Sequence, residues 1–328
     1  MSTPTFTLPS FAKINWSLRI LGRRADGYHE VRSVLQTVSL HDQLHFSPHP
    51  EGNDQDNPDV LLTCDTAEIP LGADNLIIRA AHALRDRCGV KAGAAIHLEK
   101  RIPPRGGLGG GSSNAAVALL GLACLWRLSL GHSELWEIGS TLGADVPFFF
   151  LGGCALATGT GTDLQALADP TSDNAQKYLV IISPKATVST AVAYESLKAP
   201  ALTSLNDASI LSISYAEEIS DLSHPRDTGN DFEDVIFSSE PEIKRAKESL
   251  LDVGASGSLL AGSGSSVFGI FENKEAQERA VNEIQAEIGW RVFPAVTVSR
   301  HEYLRELGSC GVALSRFEIG LASEQRET

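Results

Sequence analysis

Apolar side chains recur at Phe6, Leu8, Phe11, Ile14, Trp16, Leu18 and Ile20, with mostly polar or small residues between them. A period near two predicts a strand over residues 5–22. Val31–Phe46 predicts a second strand region, and the charged stretch Arg23-Arg24-Ala25-Asp26-Gly27-Tyr28-His29 between them reads as a turn. The period changes at Asn75–Cys88, where Leu76, Ile77, Ala80, Ala81 and Leu84 gather on one side of a helix. A strand over residues 92–99 follows. After it come Gly106-Gly107-Leu108-Gly109-Gly110-Gly111-Ser112-Ser113-Asn114 and an uncharged apolar run through Trp126, which reads as a buried helix.

The second half is less regular. Ser133–Leu142 predicts a helix capped by Ser133, and Phe148–Ala157 a strand. Lys177–Ser183 is a buried-type strand that opens a second domain. Ser189–Leu197, Asp231–Ser238 and Pro241–Leu251 read as helices, the last with proline in its first turn. Leu259–Phe271 predicts strand, turn and strand; Lys274–Ile288 a charged helix; Arg291–Val298 a strand. Residues 49–59 and 199–230 read as acidic irregular segments, and the polar tail after Ser315 as loose. Strands and helices mix without strict alternation, which favours an α+β fold over a doubly wound parallel sheet. A length of 328 residues suits two domains, expected at 1–175 and 176–328.

Composition narrows the function classes. A hydrophobic share of 42% supplies a core and rejects disorder. The net charge of -14 argues against nucleic acid or an anionic membrane as partner. The charge is uneven, however. Residues 51–75 hold seven acids and no Lys or Arg, and residues 207–242 hold ten acids against one base. Residues 1–40 hold five bases against two acids, so the positive field falls on a candidate-site segment. The five cysteines are scattered with no C-x-x-C, which fits a reducing compartment and indicates neither zinc nor a disulfide frame. No basic-then-apolar leader and no run of ~20 apolar residues occurs, so a cytoplasmic location without a membrane span is expected. His41, His45 and His49 have helical ligand spacing, but four residues of strand cover ~13 Å, too far for one shared ion. No protein-ligated metal is expected.

The glycine-rich stretch carries the clearest chemistry. Glycines let backbone N–H groups crowd one point, and Ser112, Ser113 and Asn114 are placed to cap the helix that follows. Amides at a helix N-terminus form an anion site, suited to phosphate. No Lys-Ser/Thr follows as in a Walker A loop, and Ser112 stands where a dinucleotide fingerprint has its third glycine. Lys13 is a lone charge in an apolar strand: either an edge lysine reaching water or a cation awaiting a phosphate or carboxylate. Asp145, in Gly143-Ala144-Asp145-Val146-Pro147, is either a turn cap or a carboxylate that accepts a proton from an alcohol. Tyr28-His29 reads equally as a surface turn or as an aromatic–imidazole pair that stacks on a base. Ala261–Phe268 holds a second glycine-serine turn, weak evidence by itself.

Taken together, Lys13-Ile14-Asn15, Gly-Leu-Gly-Gly-Gly-Ser-Ser-Asn, Gly-Ala-Asp-Val-Pro and the second glycine turn, in this order, resemble the GHMP kinases (galactokinase, homoserine kinase, mevalonate kinase and relatives). The Arg-Ala-Asp-Gly-Tyr-His element resembles the branch that acts on a cytidine diphosphate-linked methylerythritol in non-mevalonate isoprenoid synthesis. The resemblance implies a two-domain kinase, with an N-terminal ATP-binding domain of mixed sheet and helices and a C-terminal α/β substrate-side domain. It implies ATP and Mg²⁺ as cofactors. Lys13 and Asp145 would be catalytic. Asn75, Lys100 and residues Gly106, Gly107, Leu108, Gly109, Gly110, Gly111, Ser112, Ser113 and Asn114 would hold the nucleotide, with Ser112 or Ser113 near the metal. Asn15, Tyr28, His29, Tyr194, Gly262 and Ser263 would bind the substrate. A monomer or weak homodimer is expected. Arg105 departs from the family's usual small residue, and Leu35 stands where some members have an aromatic. Two alternatives stay open: a homoserine- or mevalonate-type kinase, and a non-catalytic nucleotide-binding relative.

Overall fold

A computed structural model describes residues 5–49, 60–168, 176–186, 188–197, 199–200, 229–284 and 289–315. The two expected front strands form a long antiparallel pair, β1 (Phe6–Arg23) and β2 (His29–Pro48). Their register shifts at Phe11/Ala12, Asn15/Ser17 and Ile20/Gly22. Such bulges bend a strand and raise its twist. The bent β2 therefore serves two partners along one edge. Its Gln43–Pro48 end pairs β4 (Ala94–Glu99), and its Ser33–Gln36 part pairs β5 (Cys154–Thr158). β3 (Val60–Cys64) lies parallel to β4, β6 (Asp163–Ala166) pairs β5, and β8 (Gly229–Asn230) runs parallel to β1 at Ser17 and Leu18. A second sheet, in the order β11 (Arg291–Val296), β7 (Tyr178–Ser183), β10 (Val267–Phe271) and β9 (Gly257–Leu260), is antiparallel throughout.

Helix α1 (Leu76–Cys88) buries Ile77, Ala80, Ala81 and Leu84, as its periodicity predicts. Helix α2 (Gly110–Leu125) is buried almost all round between α1 and the first sheet, which explains its lack of a polar face. Its polar first turn is satisfied from β1: the buried Ser10 hydroxyl lies 2.7 Å from Ser113 Oγ and donates to Asn114 Oδ1 at 2.6 Å. Helices α3 (His132–Leu142) and α4 (Phe148–Leu151) complete this layer. On the second sheet pack α5 (Thr190–Ser196), α6 (Glu233–Ser239), α7 (Pro241–Asp252) and α8 (Lys274–Ile284). The chain then crosses back. Val298 N–H donates to Thr37 C=O, and helices α9 (Arg300–Glu306) and α10 (Gly308–Ser315) place Tyr303, Leu307, Cys310 and Leu314 in the α2 core.

Several expectations are corrected. Phe148–Ala157 is not one strand: three phenylalanines pack inward from the short α4, and Gly152 and Gly153, both at φ 65, turn the chain before β5 begins. A fully apolar run carries no period to separate the two forms. Ser133 is not the cap of α3. Gly131 is, and its N–H donates to Glu134 Oε2 at 2.9 Å. Ser112–Asn114 do not cap α2, which starts one turn earlier behind Gly109. β3, β6, β8, α9 and α10 are additional elements. Most of 199–230, residues 50–59, the end of the helix predicted to Ile288, and the tail after Ser315 lie outside the described residues.

Candidate active site

The glycine loop is held from three sides. Before it, the fully buried Asp42 of β2 accepts from Arg101 N–H (2.7 Å) and Ile102 N–H (2.8 Å) and pairs with Lys100 Nζ at 2.7 Å. Within it, Leu108 C=O accepts from Lys13 N–H at 2.9 Å. Across from it, Gly106 C=O accepts from Ser266 N–H at 3.1 Å. The approach of the two glycine turns is close enough that a Cβ on Gly107 (φ 76) would fall 1.9 Å from Ala261 O. Only glycine fits this position. The loop ends at the open N-terminus of α2, where unbonded N–H groups and the helix dipole favour an anion.

Two cavities meet on this loop and share Gly107, Gly109 and Ser112. The smaller, about 340 Å³, is walled by the rest of the loop with Asn75, Lys100 and Asn114. The larger, about 920 Å³, is walled by Lys13, Asn15, Asp145, His29, Tyr194 and Phe232, among others.

In the larger cavity, beside the shared Gly109, Lys13 Nζ lies 3.5 Å from Asp145 Oδ2; the lysine side chain is 5% exposed and the carboxylate 39%. β8 pairs β1 only at Ser17 and Leu18; at Lys13 the strand's outer side is covered by the glycine loop, and the side chain does not reach out to water. A relay fixes its ammonium: Lys13 Nζ donates to Asn15 Oδ1 (2.9 Å), Asn15 Nδ2 to Ser33 Oγ (2.7 Å), and Ser33 Oγ to Ser17 C=O (2.7 Å). The arrangement sets a proton acceptor and a cation side by side, against amides suited to phosphate. An alcohol in the larger cavity and a phosphoryl group on the loop would meet there.

The far end of the larger cavity is aromatic. Tyr28 is 67% exposed on its rim, with its N–H bonded to Asp26 Oδ1 and the turn braced by Arg24 ion-paired to Asp26 and Glu30. The His29 ring lies 4.9 Å from Tyr194 at a tilt of 33°, and Tyr194 meets Phe232 edge-on at 4.8 Å. Burial, then the charge of Arg23, holds His29 below the ordinary histidine value. Burial, then the charge of Asp145, pushes Tyr194 up to about 12, so its hydroxyl remains a neutral hydrogen-bonding group.

The other sequence-selected residues divide between the cavities. Gly262 and Ser263 wall the larger. In the smaller, Asn75 caps α1 through Ile77 N–H (2.9 Å) and donates to Pro70 C=O (2.7 Å). Lys100 keeps its ammonium on Asp42 and the Ile102 carbonyl. Ser113 lines neither cavity; its hydroxyl is spent on Ser10. Leu35 lines the larger cavity, and Arg105 carries a left-handed backbone (φ 57). Sequence reasoning missed Asp42, Ser33 and Phe232. Asp42 had a signal, as a carboxylate on the inward face of an otherwise apolar strand end.

Known proteins decide what this geometry belongs to. The GHMP kinases N terminal domain profile matches residues 75–153, and the GHMP kinases C terminal profile residues 211–288. A 4-diphosphocytidyl-2-C-methyl-D-erythritol kinase of Syntrophotalea carbinolica is 40% identical over 290 residues, covering 88% of this chain and 97% of that protein. The chain belongs to the GHMP kinase family. A solved 4-(cytidine 5'-diphospho)-2C-methyl-D-erythritol kinase superposes on this GHMP kinase with a TM-score of 0.69 at 33% identity, covering 89% of this chain and 99% of that one. The homoserine kinase of Cytophaga hutchinsonii, at 19% identity and a TM-score of 0.58, covers 89% and 95% and shares the fold. The two-domain α+β expectation stands. Among the described residues of this GHMP kinase, no helix is long and apolar enough to cross a membrane.

Proposed function

We propose that this chain transfers the terminal phosphoryl group of ATP to the 2-hydroxyl of 4-diphosphocytidyl-2-C-methyl-D-erythritol, a step of non-mevalonate isoprenoid precursor synthesis. The supporting observation is the meeting of two cavities on one glycine loop, with the Lys13–Asp145 pair walling the larger one beside that loop. ATP occupies the smaller cavity against Asn75 and Lys100, its phosphates on the amides of residues 106–112. The acceptor fills the larger cavity. Its cytosine lies against Tyr28, His29 and Tyr194, and its erythritol end reaches Asp145. Asp145 takes or orients the hydroxyl proton, and Lys13 offsets charge on the moving phosphoryl group. Phosphoryl transfer asks for alignment and charge neutralisation, which such a site supplies without a covalent intermediate.

Mg²⁺ fits the donor set. Ser112 and Asp145 both wall the larger cavity beside the loop, and Mg²⁺ is usually held by one or two protein oxygens plus nucleotide phosphates and water. Bound there, it would neutralise phosphate charge. The domain division is placed at 175/176, beyond which β8, α9 and α10 return to the first layer. The reading carries a cytoplasmic, monomeric or weakly dimeric enzyme.

The test is ADP release by the purified chain with ATP and three acceptors: the cytidine-linked methylerythritol, homoserine and mevalonate. Turnover of the first, with a phosphomonoester appearing at its 2-position, is expected. Turnover of either other alcohol, or of none, overturns the reading.

A further inference from the structure

The smaller cavity is poor in positive charge. Of the residues that line it, Lys100 and Arg105 are cations and Asp74 is an anion. Lys100 is already matched: its side chain is 6% exposed, and its ammonium pairs at 2.7 Å with the fully buried Asp42. Those two charges cancel before any ligand arrives. Arg105 is exposed, and among the described residues its guanidinium has no ion-pair or hydrogen-bond partner.

The root of the Arg105 side chain is fixed by its neighbours. Gly106 C=O accepts from Ser266 N–H at 3.1 Å, and Gly107 lies hard against Ala261. Arg105 itself is left-handed at φ 57, like Gly107 (φ 76) and Gly109 (φ 70) in the same loop. Glycine adopts this backbone freely, and a residue with a Cβ does not. Arg127, also left-handed (φ 56), closes the C-terminus of α2, with its N–H donating to Cys124 C=O. That is a common helix ending. Arg105 ends no helix, and the residue after it begins the run of loop amides.

Resting on the kinase reading above, we infer that Arg105 is a binding residue for the nucleotide, its guanidinium taking a phosphate oxygen of ATP beside the loop amides. A guanidinium offers a fork of N–H donors that matches phosphate oxygens. Closing on phosphate breaks no ion pair with a described residue, so the opposing cost is the ordering of one side chain. The triphosphate enters a chain of net charge -14, and Arg105 is the cation of this cavity that Asp42 does not neutralise. Such a contact exists in the ground state as well as in the transition state, so it supports affinity more than rate.

The experiment compares wild type with Arg105→Gly, Arg105→Gln and Arg105→Lys. Calorimetry with ATP and ADP in Mg²⁺, inhibition by adenosine, steady-state kinetics and thermal unfolding are the measurements. Wild-type binding of ATP and turnover of the cytidine-linked acceptor are the control. Their absence defeats the kinase reading and this inference with it, whereas wild-type affinity in the variants defeats only the inference. Arg105→Gly removes the charge and relieves the backbone; Arg105→Gln removes the charge alone; Arg105→Lys keeps the charge without the fork. Both uncharged variants should bind ATP and ADP about tenfold more weakly at low salt, the worth of one charge-assisted bond, and Arg105→Lys less so. The difference from wild type should shrink as salt rises. The adenosine inhibition constant should not change. KM for ATP should follow its Kd, while kcat and the acceptor KM stay within about threefold; Arg105 does not line the acceptor's cavity. Arg127→Gly, which relieves the same backbone at the far end of α2, should bind ATP as wild type does. Weak binding by Arg105→Gly with wild-type affinity in Arg105→Gln overturns the inference and assigns Arg105 to loop stiffness. An equal loss for adenosine or a loss indifferent to salt also overturns it. Failure of the variants to fold does the same, assigning Arg105 to folding alone.

Discussion

Lys13 Nζ stands 3.5 Å from Asp145 Oδ2, joining the middle of the first strand to the turn that follows α3. Lys13 is fixed by Asn15 and, through it, by Ser33 of the next strand. Asp145 is brought up by the packing of α3 and the phenylalanines after it. The pair thus depends on the whole first layer, and the glycine loop is threaded between its two halves.

Asp145→Asn should lower kcat by ~100- to 10,000-fold, the usual worth of a positioned proton acceptor. The side chain is 39% exposed, so the variant should unfold within a few degrees of wild type. Lys13→Met retains the buried volume and should reduce kcat more than it raises KM, because the ammonium acts mainly on transferred charge. Retention of wild-type kcat by folded Asp145→Asn would remove it from the chemistry.

Gly107→Ala asks for space that is absent. The added methyl would sit 1.9 Å from the Ala261 carbonyl, and the backbone is at φ 76. One of the two turns must move. A left-handed non-glycine residue alone costs about 1 kcal/mol or more. The variant should lower the unfolding temperature and raise the KM for ATP together. Unchanged KM for ATP would show that the loop does not seat the nucleotide.

The sequence carried the front of the fold because alternation in β1 and β2 and the helical face of α1 are backed by one-sided burial. For Lys13 and Asp145 the pattern alone left an edge lysine and a turn cap open, and only the resemblance in motif order pointed to them as a pair, which lies 3.5 Å apart. The pattern failed where period vanishes or where partners are remote. Phe148–Ala157 is apolar throughout, so helix and strand read alike. α9 was missed although Ser299 and Glu302 form a reciprocal cap, with Ser299 Oγ accepting from Glu302 N–H at 3.2 Å and Glu302 Oε2 from Ser299 N–H at 3.0 Å. Lys100 illustrates the harder limit. Its place before the glycine loop marks it as a nucleotide contact, while its bond to Asp42, made across two paired strands, cannot be read from spacing.

That Asp42–Lys100 pair gives a stability prediction. Both side chains are more than nine-tenths buried, and Asp42 also receives two backbone N–H groups at the entry to the loop. Asp42→Asn leaves the ammonium buried without its counter-charge, a loss of about 3–5 kcal/mol by the usual cost of breaking such a pair. Denaturant unfolding should show this, and the double variant Asp42→Asn with Lys100→Met should recover part of it. A cost below about 1 kcal/mol would place the pair in the weak class of exposed ion pairs.

Tyr28 makes the opposite prediction, since its ring is 67% exposed and its turn is held by Asp26, Arg24 and Glu30 rather than by the ring. Tyr28→Ala should leave the unfolding temperature unchanged. It should raise the KM for the acceptor by roughly tenfold or more, the worth of one base–aromatic stack, with kcat less affected. An unaltered acceptor KM would take the base away from Tyr28.

Stability should also depend on pH through two histidines. Burial, then Arg23, holds His29 below the ordinary value, and burial does the same to His132. A histidine of depressed value binds fewer protons folded than unfolded just below pH ~6.5, so unfolding becomes easier as pH falls through that window. Above it both states are neutral and the effect disappears. The carboxylates of Asp26, Asp65, Glu242 and Glu302, held low mainly by hydrogen bonds from backbone N–H groups or Arg245, add a further loss only below pH ~4.5. Urea midpoints measured between pH ~7 and ~5 should therefore decline in the wild type. The decline should be shallower in His132→Gln, and shallower still when His29→Gln is added. Equal slopes in all three proteins would show that these imidazoles titrate alike in the folded and unfolded chain.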